Sequence, residues 1–361
     1  MLTAKNIFTE GAGDSALSRL LVEQLCRRAR VSLVSLDSAV TEVTRRHHGS
    51  ITQTLVPKPS ASVLAVASRA VRYRQSLIHA RFRSRRLRAV LADLKPDLIV
   101  AEHAYMAEEP LSLGGSWTVA VNNHVSESVA LARRGLATVL LRMRLQEDEI
   151  RVNRRADRSL TFDREQAAAL RDGGVSEVSV LDLVLPPMKQ PQALGDHVLF
   201  VGDQRWFPNR QAVENLFGLV RRMQARGVRV PVDVVGALPS TPYRDVPSGV
   251  VIHGYVDDID ALYRQARCVV APVATGGGVR VKILDAVARG VPVVTSFAGG
   301  GDIPEYLPIH PVDNDDEFIA SVISLVEDRT FAQKQGHQVW AAGRARWNNA
   351  DVANLVLGVD R

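Results

Sequence analysis

One segment, residues 268–296, constrains the fold more than any other, because a glycine run lies in it between two apolar stretches. It reads CVVAPV, ATGGG, VRVKILDAVAR and GVPVVTS. The apolar, β-branched runs at its two ends are typical of strands covered on both faces of a parallel sheet. The residues from Val279 to Arg289 have helical spacing. A glycine run that opens a helix exposes backbone N–H groups at the positive end of the helix dipole, so this segment predicts an anion-binding turn.

Side chains beside the glycines suit a phosphate and a sugar. The predicted anion-binding set combines three glycines with two cations: Gly276, Gly277, Gly278, Arg280 and Lys282. Asp285 lies three residues after Lys282 on the same predicted helix face, where its carboxylate could hold sugar hydroxyls. The alternative is a glycine-rich turn in which Lys282 and Asp285 only form a surface ion pair.

Strands and helices alternate along the whole region that follows Pro186. Predicted strands end in glycine or in a polar turn at 197–203, 230–236 and 250–256, and a helix is predicted from about Asn209 to Arg226. Such alternation favours right-handed βαβ units and a parallel sheet. Ligands bind beyond the carboxyl ends of the strands in these sheets. Gly202, Gly236 and the glycines at 276–278 all fall at such ends.

This order of motifs resembles a known family. FVGD-x3-F-PN, DVVG, V-x-HGYV-x-D and APV-x3-GGVRVKILDA-x3-GVPVVTS are similar to the donor half of glycosyltransferase family 4, in the branch with a GGxRxKxLEA-like loop. IVAEHAYMA and VAVNNHVSES resemble two strand-end segments of the acceptor half. The resemblance implies an α/β fold of two facing Rossmann-like domains, the GT-B architecture. It also implies retaining transfer of a hexose or related sugar to a lipid-linked, polysaccharide or small-molecule acceptor.

The resemblance also implies roles for single residues. Arg205 and Lys282, with Arg280 and the helix amides, are expected to hold the donor diphosphate, and Asp285 the ribose hydroxyls. The other expected donor contacts are the phosphate-loop glycines and the groups near the base: Gly202, Gly236, Tyr255, Val256, Gly276, Gly277 and Gly278. His124 is expected to contact the donor sugar or its phosphate, with Glu127 a weaker candidate. The alternatives are a satisfied buried histidine at His124 and plain strand core at Tyr255 and Val256.

The chain departs from the family pattern at three places. Two glutamates eight positions apart in many members are here Gly277 and Asp285. Where a lysine follows the arginine after the first donor strand, this chain has Asn209 and Arg210. Two other functions therefore stay open: a catalytically weakened binding subunit, and an inverting transferase or sugar-nucleotide epimerase on the same scaffold.

The expected domain organisation follows from length and from a proline-rich polar stretch. The 361 residues are enough for two cores. We expect an acceptor domain at 1–185, a linker at 186–196, a donor domain at 197–345, and a tail helix at 346–361 that packs back on the first domain. The run KNIFTEG (5–11) is expected to be the first strand.

Composition excludes several other classes of protein. No apolar run approaches the ~18 residues that span a bilayer, and Met1–Asp14 lacks a signal-peptide pattern. Cys26 and Cys268 are expected to be reduced thiols in a cytoplasmic protein. No common metal-ligand spacing occurs. We therefore expect no metal and no cofactor, with a nucleotide diphosphate sugar as the donor substrate.

Positive charge is concentrated in the first half. Residues 44–91 contain eleven lysines and arginines and no acid, with apolar residues interleaved. At least part of residues 64–92 is therefore expected to be a basic amphipathic helix, either bound peripherally to an anionic membrane surface at the inner face of the cell membrane or simply solvated. Nucleic acid is not expected as a partner, because stacking aromatics and base-reading modules are absent.

Overall fold

The computed structural model describes residues 1–9, 13–124, 139–275, 278–349 and 352–358. The chain divides into two units, one formed by Met1–Leu181 with Asp351–Arg361 and the other by Asp182–Ala350. Each unit carries its own predominantly parallel sheet, so the expected α/β fold of two Rossmann-like domains is confirmed.

The first unit is organised around a sheet whose described strands lie in the order β3-β4-β2-β1-β5-β6-β7-β8. The strand pairs are parallel except for β3 with β4. The strands are β1 Leu2–Thr3, β2 Ser32–Asp37, β3 Thr44–His48, β4 Ile51–Pro57, β5 Leu98–Glu102, β6 Thr118–Asn123, β7 Arg158–Thr161 and β8 Val178–Val180.

Helices pack on this sheet through apolar side chains. The helices are α1 Gly13–Cys26, α2 Val63–Tyr73, α3 Leu77–Arg81, α4 Arg85–Leu94, α5 Glu108–Leu113, α6 Val139–Arg155 and α7 Arg164–Asp172. Leu87 and Leu91 of α4 and Val152 of α6 are buried in one cluster with strand residues such as Val34 and Val121. Because α4 buries only one stripe, its remaining positions are free to be charged.

The basic stretch forms three successive helices. Arg74 adopts a left-handed conformation with φ 51° and caps the end of α2. The side chains of Ser76 and Ser84 then accept backbone N–H groups at the starts of α3 and α4. Serine side chains at these positions satisfy amides that lack a helical partner, which favours a new helix start over continuation.

The expected first strand at 5–11 is wrong. The first strand is Leu2–Thr3, and residues 7–9 form a turn. The backbone N–H of Phe8 donates to the side chain of Asn6, and Thr9 donates to the Asn6 carbonyl. Local bonds of this kind compete with a strand, and they explain why an apolar, β-prone run turns here.

The second unit has a parallel sheet with strand order β11-β10-β9-β12-β13. Its strands are β9 His197–Val201, β10 Val232–Val235, β11 Val250–Gly254, β12 Ala266–Ala271 and β13 Val293–Thr295. Its helices are α8 Phe207–Ala225, α9 Ile259–Gln265, α10 Val281–Arg289, α11 Phe297–Gly300, α12 Asp315–Glu327 and α13 Arg329–Asn349. The predicted strand–helix alternation after Pro186 is confirmed, with α8 beginning two residues before the expected Asn209.

Two connecting segments are held by hydrogen bonds and helix packing. The proline-rich segment 186–196 is fixed to the second unit, since the backbone N–H groups of Met188, Gln192 and Gly195 donate to carbonyls at Ala288, Arg289 and Ala266. Near the end of the chain, α14 Val352–Leu357 packs against α1 within the first unit.

Candidate functional site

The second unit has a topological switch point at the carboxyl ends of β9 and β12. From β9 the chain moves outward through β10 to β11, and it then returns to β12 on the other side of β9. Ligands of open α/β sheets bind in the crevice at such a point. Gly202 and Arg205 follow β9, whereas Arg280 and Lys282 follow β12. Gly276 and Gly277 lie outside the described residues, and Gly278 is described.

Lys282 connects the two sides of this crevice. Its Nζ donates a 2.7 Å hydrogen bond to Oδ1 of Asn209, in the first turn of α8. Nδ2 of Asn209 donates in turn to the carbonyl of Asp203 at 2.9 Å. The Lys282 ammonium also lies 5.1 Å from the centre of the Phe200 ring. Lys282 belongs to the first turn of α10, but it is positioned by Phe200 in β9 and by Asn209 after β9.

The surroundings of Lys282 disfavour its positive charge. Burial, and secondarily the charge of Arg280, lower the pKa of Lys282 from 10.5 to about 8. An anion beside the ammonium would offset both effects. A partly desolvated lysine beside a helix start is therefore suited to bind a phosphate group.

Arg280 fixes the turn that precedes α10. Its guanidinium donates to the carbonyl of Gly278 and, at 3.3 Å, to the carbonyl of Ala298. A Cβ on Gly301 would come within 2.6 Å of the Arg280 guanidinium carbon. Arg280 thus holds the turn at 278 against α11 while contributing positive charge near Lys282.

Arg205 has a different partner from Lys282. Its Nε and Nη2 bind the carboxylate of Asp203, at 2.9 Å to Oδ1 and 2.6 Å to Oδ2. These hydrogen bonds raise the pKa of Arg205. The arginine side chain is 67% exposed, so an exchange of Asp203 for a ligand anion requires little rearrangement of the interior.

Asp285 is bonded away from Lys282. The Asp285 carboxylate binds the guanidinium of Arg289, one turn later on α10. Arg289 also binds Asp260 at 2.5 Å and lies 4.4 Å over the ring of Tyr263. Burial raises the pKa of Asp285, although Arg289 opposes that effect. The alternative of a Lys282–Asp285 ion pair is therefore wrong.

Gly236 is required where two strand ends approach each other. Its φ is +133°, and a Cβ there would overlap the carbonyl of Gly202. Its N–H donates to the carbonyl of Gly254 at 2.8 Å. Glycine permits both the backbone conformation and the contact, so the ends of β9, β10 and β11 meet without side chains between them.

Tyr255 and Val256 follow β11 at the same edge of the sheet. Tyr255 is 63% exposed, and Val256 is half-buried. The alternative of plain strand core is therefore wrong for Tyr255. Its ring remains accessible at the edge where Gly236 and Gly254 meet.

The structure adds two residues to the predicted site. The sequence indicates Asn209 only as the position of a missing lysine, yet Asn209 orients Lys282. The signal was Pro208 in the first turn of a helix, which places Asn209 at the start of α8. Gln204 is fully buried and donates to the Gly236 carbonyl at 3.2 Å. That contact spans 32 residues, so no local pattern indicates it.

His124 lies in a buried polar cluster of the first unit. Its Nε2 is 3.2 Å from Oε1 of Glu102 and 3.3 Å from Nδ2 of Asn122. The hydroxyl of Ser18 donates to the other oxygen of Glu102. The histidine is 5% exposed. Its ligand role stays a prediction, and Glu127 lies outside the described residues.

The described part of the chain has neither a metal-binding cluster nor a membrane-spanning helix. Within the described ranges, no three His, Cys, Asp or Glu side chains are grouped so as to hold a metal ion. Over those same residues, no helix is sufficiently long and apolar to cross a bilayer.

Comparison with known proteins agrees with this geometry. Residues 195–328 match the protein-family model described as glycosyl transferases group 1. None of the curated proteins matches the chain.

The chain is also similar to solved structures over nearly its whole length. The sucrose-phosphate synthase of Thermosynechococcus elongatus is 15% identical, with a TM-score of 0.71 over 99% of this chain and 96% of that one. A UDP-forming α,α-trehalose-phosphate synthase from Burkholderia xenovorans is 12% identical, with a TM-score of 0.64 over 98% of each chain. WaaG, a glycosyltransferase involved in lipopolysaccharide biosynthesis, is 11% identical, with a TM-score of 0.64 over 99% and 97%.

These similarities define the architecture as GT-B, with two Rossmann-like domains. The domain matched at 195–328 supports a glycosyltransferase enzyme, whereas the similar structures show the fold. The expected fold class and enzyme class are therefore confirmed.

Proposed function

We propose that the protein is a metal-independent, retaining glycosyltransferase of family 4. In this proposal it moves a hexose or related sugar from a nucleotide diphosphate sugar to a lipid-linked, polysaccharide or small-molecule acceptor. The observation that carries the proposal is the desolvated ammonium of Lys282, held by Asn209 at the switch point of the second unit. A cation in that position suits the diphosphate of the donor.

The central chemical requirement is a stabilised leaving group. Negative charge grows on the nucleoside diphosphate as its bond to the anomeric carbon breaks. In the proposal, Lys282 and Arg205 neutralise that charge, together with backbone N–H groups at Gly276, Gly277 and Gly278. Arg205 would exchange its exposed partner Asp203 for the diphosphate. Arg280 supports the turn and adds positive charge.

Retention is proposed to proceed without a protein nucleophile. The acceptor oxygen attacks the anomeric carbon on the face from which the diphosphate leaves. The new carbon–oxygen bond forms as the bond to the phosphate oxygen breaks, and the acceptor proton passes to that departing oxygen. The protein then has to position the two substrates and stabilise charge, a combination that can supply most of a rate enhancement.

The remaining donor contacts follow the same edge of the sheet. Asp285 is proposed to bind the ribose hydroxyls, while Gly236, Tyr255 and Val256 lie near the base. The exposed ring of Tyr255 and the side-chain-free meeting of Gly202 with Gly236 support this assignment. His124 is proposed to contact the donor sugar or its phosphate. The free thiols of Cys26 and Cys268 support a cytoplasmic location.

Transfer assays test the proposal directly. Lys282→Ala and Arg205→Ala are each expected to lower kcat about 100-fold or more, the usual effect of removing one stabiliser of a developing anion. Lys189→Ala and Arg229→Ala, which remove exposed cations of the same unit, are the matched controls. Full activity in both site variants would contradict the proposal. Activity that disappears in EDTA and returns with magnesium would contradict metal independence, and an inverted product would exclude retention.

One observation favours a second candidate function. Asp285 is bound by Arg289 and half-buried, so its carboxylate is less available to a ribose than a free glutamate would be. A catalytically weakened binding subunit would have this property. Such a subunit would bind the nucleotide but would transfer no sugar when purified alone, whatever the acceptor.

A further inference from the structure

The first unit has a helix that buries none of its residues. In α2, the exposed fractions of Val63, Leu64 and Val71 are 83%, 84% and 80%. Leu64 and Val71 are seven residues apart, so they lie on the same helix face. Adjacent exposed apolar side chains of this size mark an interaction site more often than isolated ones do.

The start of α6 continues this apolar face. Leu140 is 80% exposed and Met143 is 54% exposed. The guanidinium of Arg144, next to Met143, donates to the carbonyl of Arg74 at the end of α2. A second link joins the backbone N–H of Ser76 to the Asp148 carboxylate at 2.5 Å. These links place the α6 residues Arg144 and Asp148 beside the end of α2. We call the exposed residues of α2 and of Val139–Arg144 together the α2–α6 surface.

The α2–α6 surface is rimmed by arginines. Arg72, Arg74 and Arg142 are exposed on it. Two other arginines of the basic stretch, Arg83 and Arg88, share one carboxylate, that of Glu109, at 3.7 Å and 2.8 Å. Because residues 44–91 contain no acid, α2 and α3 have no negative side chain of their own. The surface combines unpartnered apolar groups with excess positive charge.

We propose that the α2–α6 surface docks on an anionic lipid bilayer. Leucine and methionine side chains enter the acyl boundary, while arginines bind the negatively charged headgroups. The sequence indicated only the α2 part of this surface. It did not indicate the α6 part, because the apolar residues at the start of α6 do not lie in a comparable run of positive charge. A polyanion such as nucleic acid would match the arginines but would leave Leu64, Val71 and Leu140 without an apolar partner.

Vesicle sedimentation of the full chain tests the proposal. Binding is expected to vesicles of phosphatidylcholine mixed with phosphatidylglycerol, and to be much weaker with phosphatidylcholine alone. It should weaken as salt is raised, since the charges are exposed. The assay contains no sugar nucleotide, so its outcome is independent of the proposed transfer activity.

Variants on both helices test whether the surface acts as one. Leu64→Ser and Leu140→Ser are each expected to lower vesicle affinity about tenfold or more, the factor that corresponds to about 1.5 kcal/mol for one buried leucine. Arg72→Gln with Arg142→Gln should lower it about 30-fold, at roughly fivefold per basic residue. Leu355→Ser, an exposed leucine of α14 in the same unit, is the matched control.

Four outcomes would overturn the proposal. Equal binding to both vesicle types would show that anionic lipid is not recognised. A loss of vesicle affinity in Leu64→Ser without a loss in Leu140→Ser would show that α6 does not take part in binding. If the protein does not bind vesicles but is retained on nucleic acid, the surface binds a polyanion. If it does not bind vesicles but forms a dimer that Leu64→Ser dissociates, the surface binds a second copy of this chain. Circular dichroism and thermal unfolding of each variant confirm that only the surface has changed.

Discussion

Replacing Lys282 with methionine should change how stability depends on pH. In the unfolded chain the lysine holds its proton up to a pKa of about 10.5, whereas in the folded protein burial and Arg280 lower that pKa to about 8. Between these values the unfolded state binds more protons, so the contribution of Lys282 makes the folded state more stable as pH rises. Methionine fills a similar volume and cannot titrate.

The magnitude follows from the two pKa values. A difference of 2.5 units, from 10.5 to about 8, corresponds to about 3 kcal/mol at 1.36 kcal/mol per unit. The free energy of unfolding of the wild type, minus that of Lys282→Met, should therefore rise by up to about 3 kcal/mol from neutral pH to beyond pH 10. Taking the difference between the two proteins removes the contribution of groups that titrate alike in both.

Urea unfolding followed by tryptophan fluorescence, repeated over that pH range, measures the difference. Lys189→Met, which removes an exposed lysine from the same unit, controls for the loss of one positive charge. A difference between the wild type and Lys282→Met that stays constant with pH would show that Lys282 is solvated. Lys282 could then no longer be described as a desolvated cation that binds phosphate.

Three other changes have defined outcomes. The unfolding free energy of the wild type should fall by about 3 kcal/mol between pH 4.5 and 2, because hydrogen bonds from His79 and Arg151 outweigh burial and lower the pKa of Glu108 to about 2. Glu108→Gln should abolish this fall. An unchanged acid unfolding curve in the variant would contradict the prediction. Gly236→Ala should lower the unfolding free energy measured in urea by at least about 2 kcal/mol, because φ is positive there and a Cβ would overlap the Gly202 carbonyl. The control Gly218→Ala, in open space on a helix, should be neutral or stabilising. Equal effects of the two changes would argue against a close approach of the strand ends. Asp203→Asn should tighten nucleotide diphosphate binding several-fold in calorimetry by releasing Arg205 from an exposed ion pair, and weaker binding would show that Asp203 itself supports the ligand.

The second unit was readable from the sequence because its signals are local. Each strand is a short β-branched run that stops at a polar or glycine turn, as at Gly202 and Gly236, and each helix begins within a few residues of that turn. Pro208 in the first turn of α8 is a further local signal, although it was not used to predict that start. These features need no distant partner, so element order and sheet type followed from them.

The partners of the charged groups were not readable, because they are set by contacts distant in sequence. Lys282 lies three residues from Asp285 but bonds Asn209, 73 positions earlier. Asp285 instead pairs with Arg289, which is fixed against the ring of Tyr263. Spacing along one helix allowed both pairings, and only the side-chain contacts of α10 with Asn209 of α8 and with Tyr263 of α9 decide between them.

The first half was less readable for the same reason. The polar cluster around His124 depends on Ser18 and Glu102, which are 84 residues apart. The division of the basic stretch into three helices depends on Arg74 and two serine caps, which a charge pattern does not distinguish from a continuous helix. The charge pattern predicted an exposed surface in the basic stretch. It did not indicate the apolar residues of α6 that belong to the α2–α6 surface.

Calorimetric titration of the wild type and Lys282→Ala with UDP, GDP, ADP and dTDP in the presence of EDTA measures whether Lys282 holds the donor diphosphate. We expect at least one nucleotide to bind the wild type without metal. Lys282→Ala should weaken that binding about 10- to 100-fold, as expected when a charged hydrogen bond worth about 1.5–3 kcal/mol is lost, while Lys189→Ala should bind like the wild type. Equal affinities in the wild type and Lys282→Ala, or no binding of any of the four nucleotides, would contradict the claim that this lysine holds the donor diphosphate.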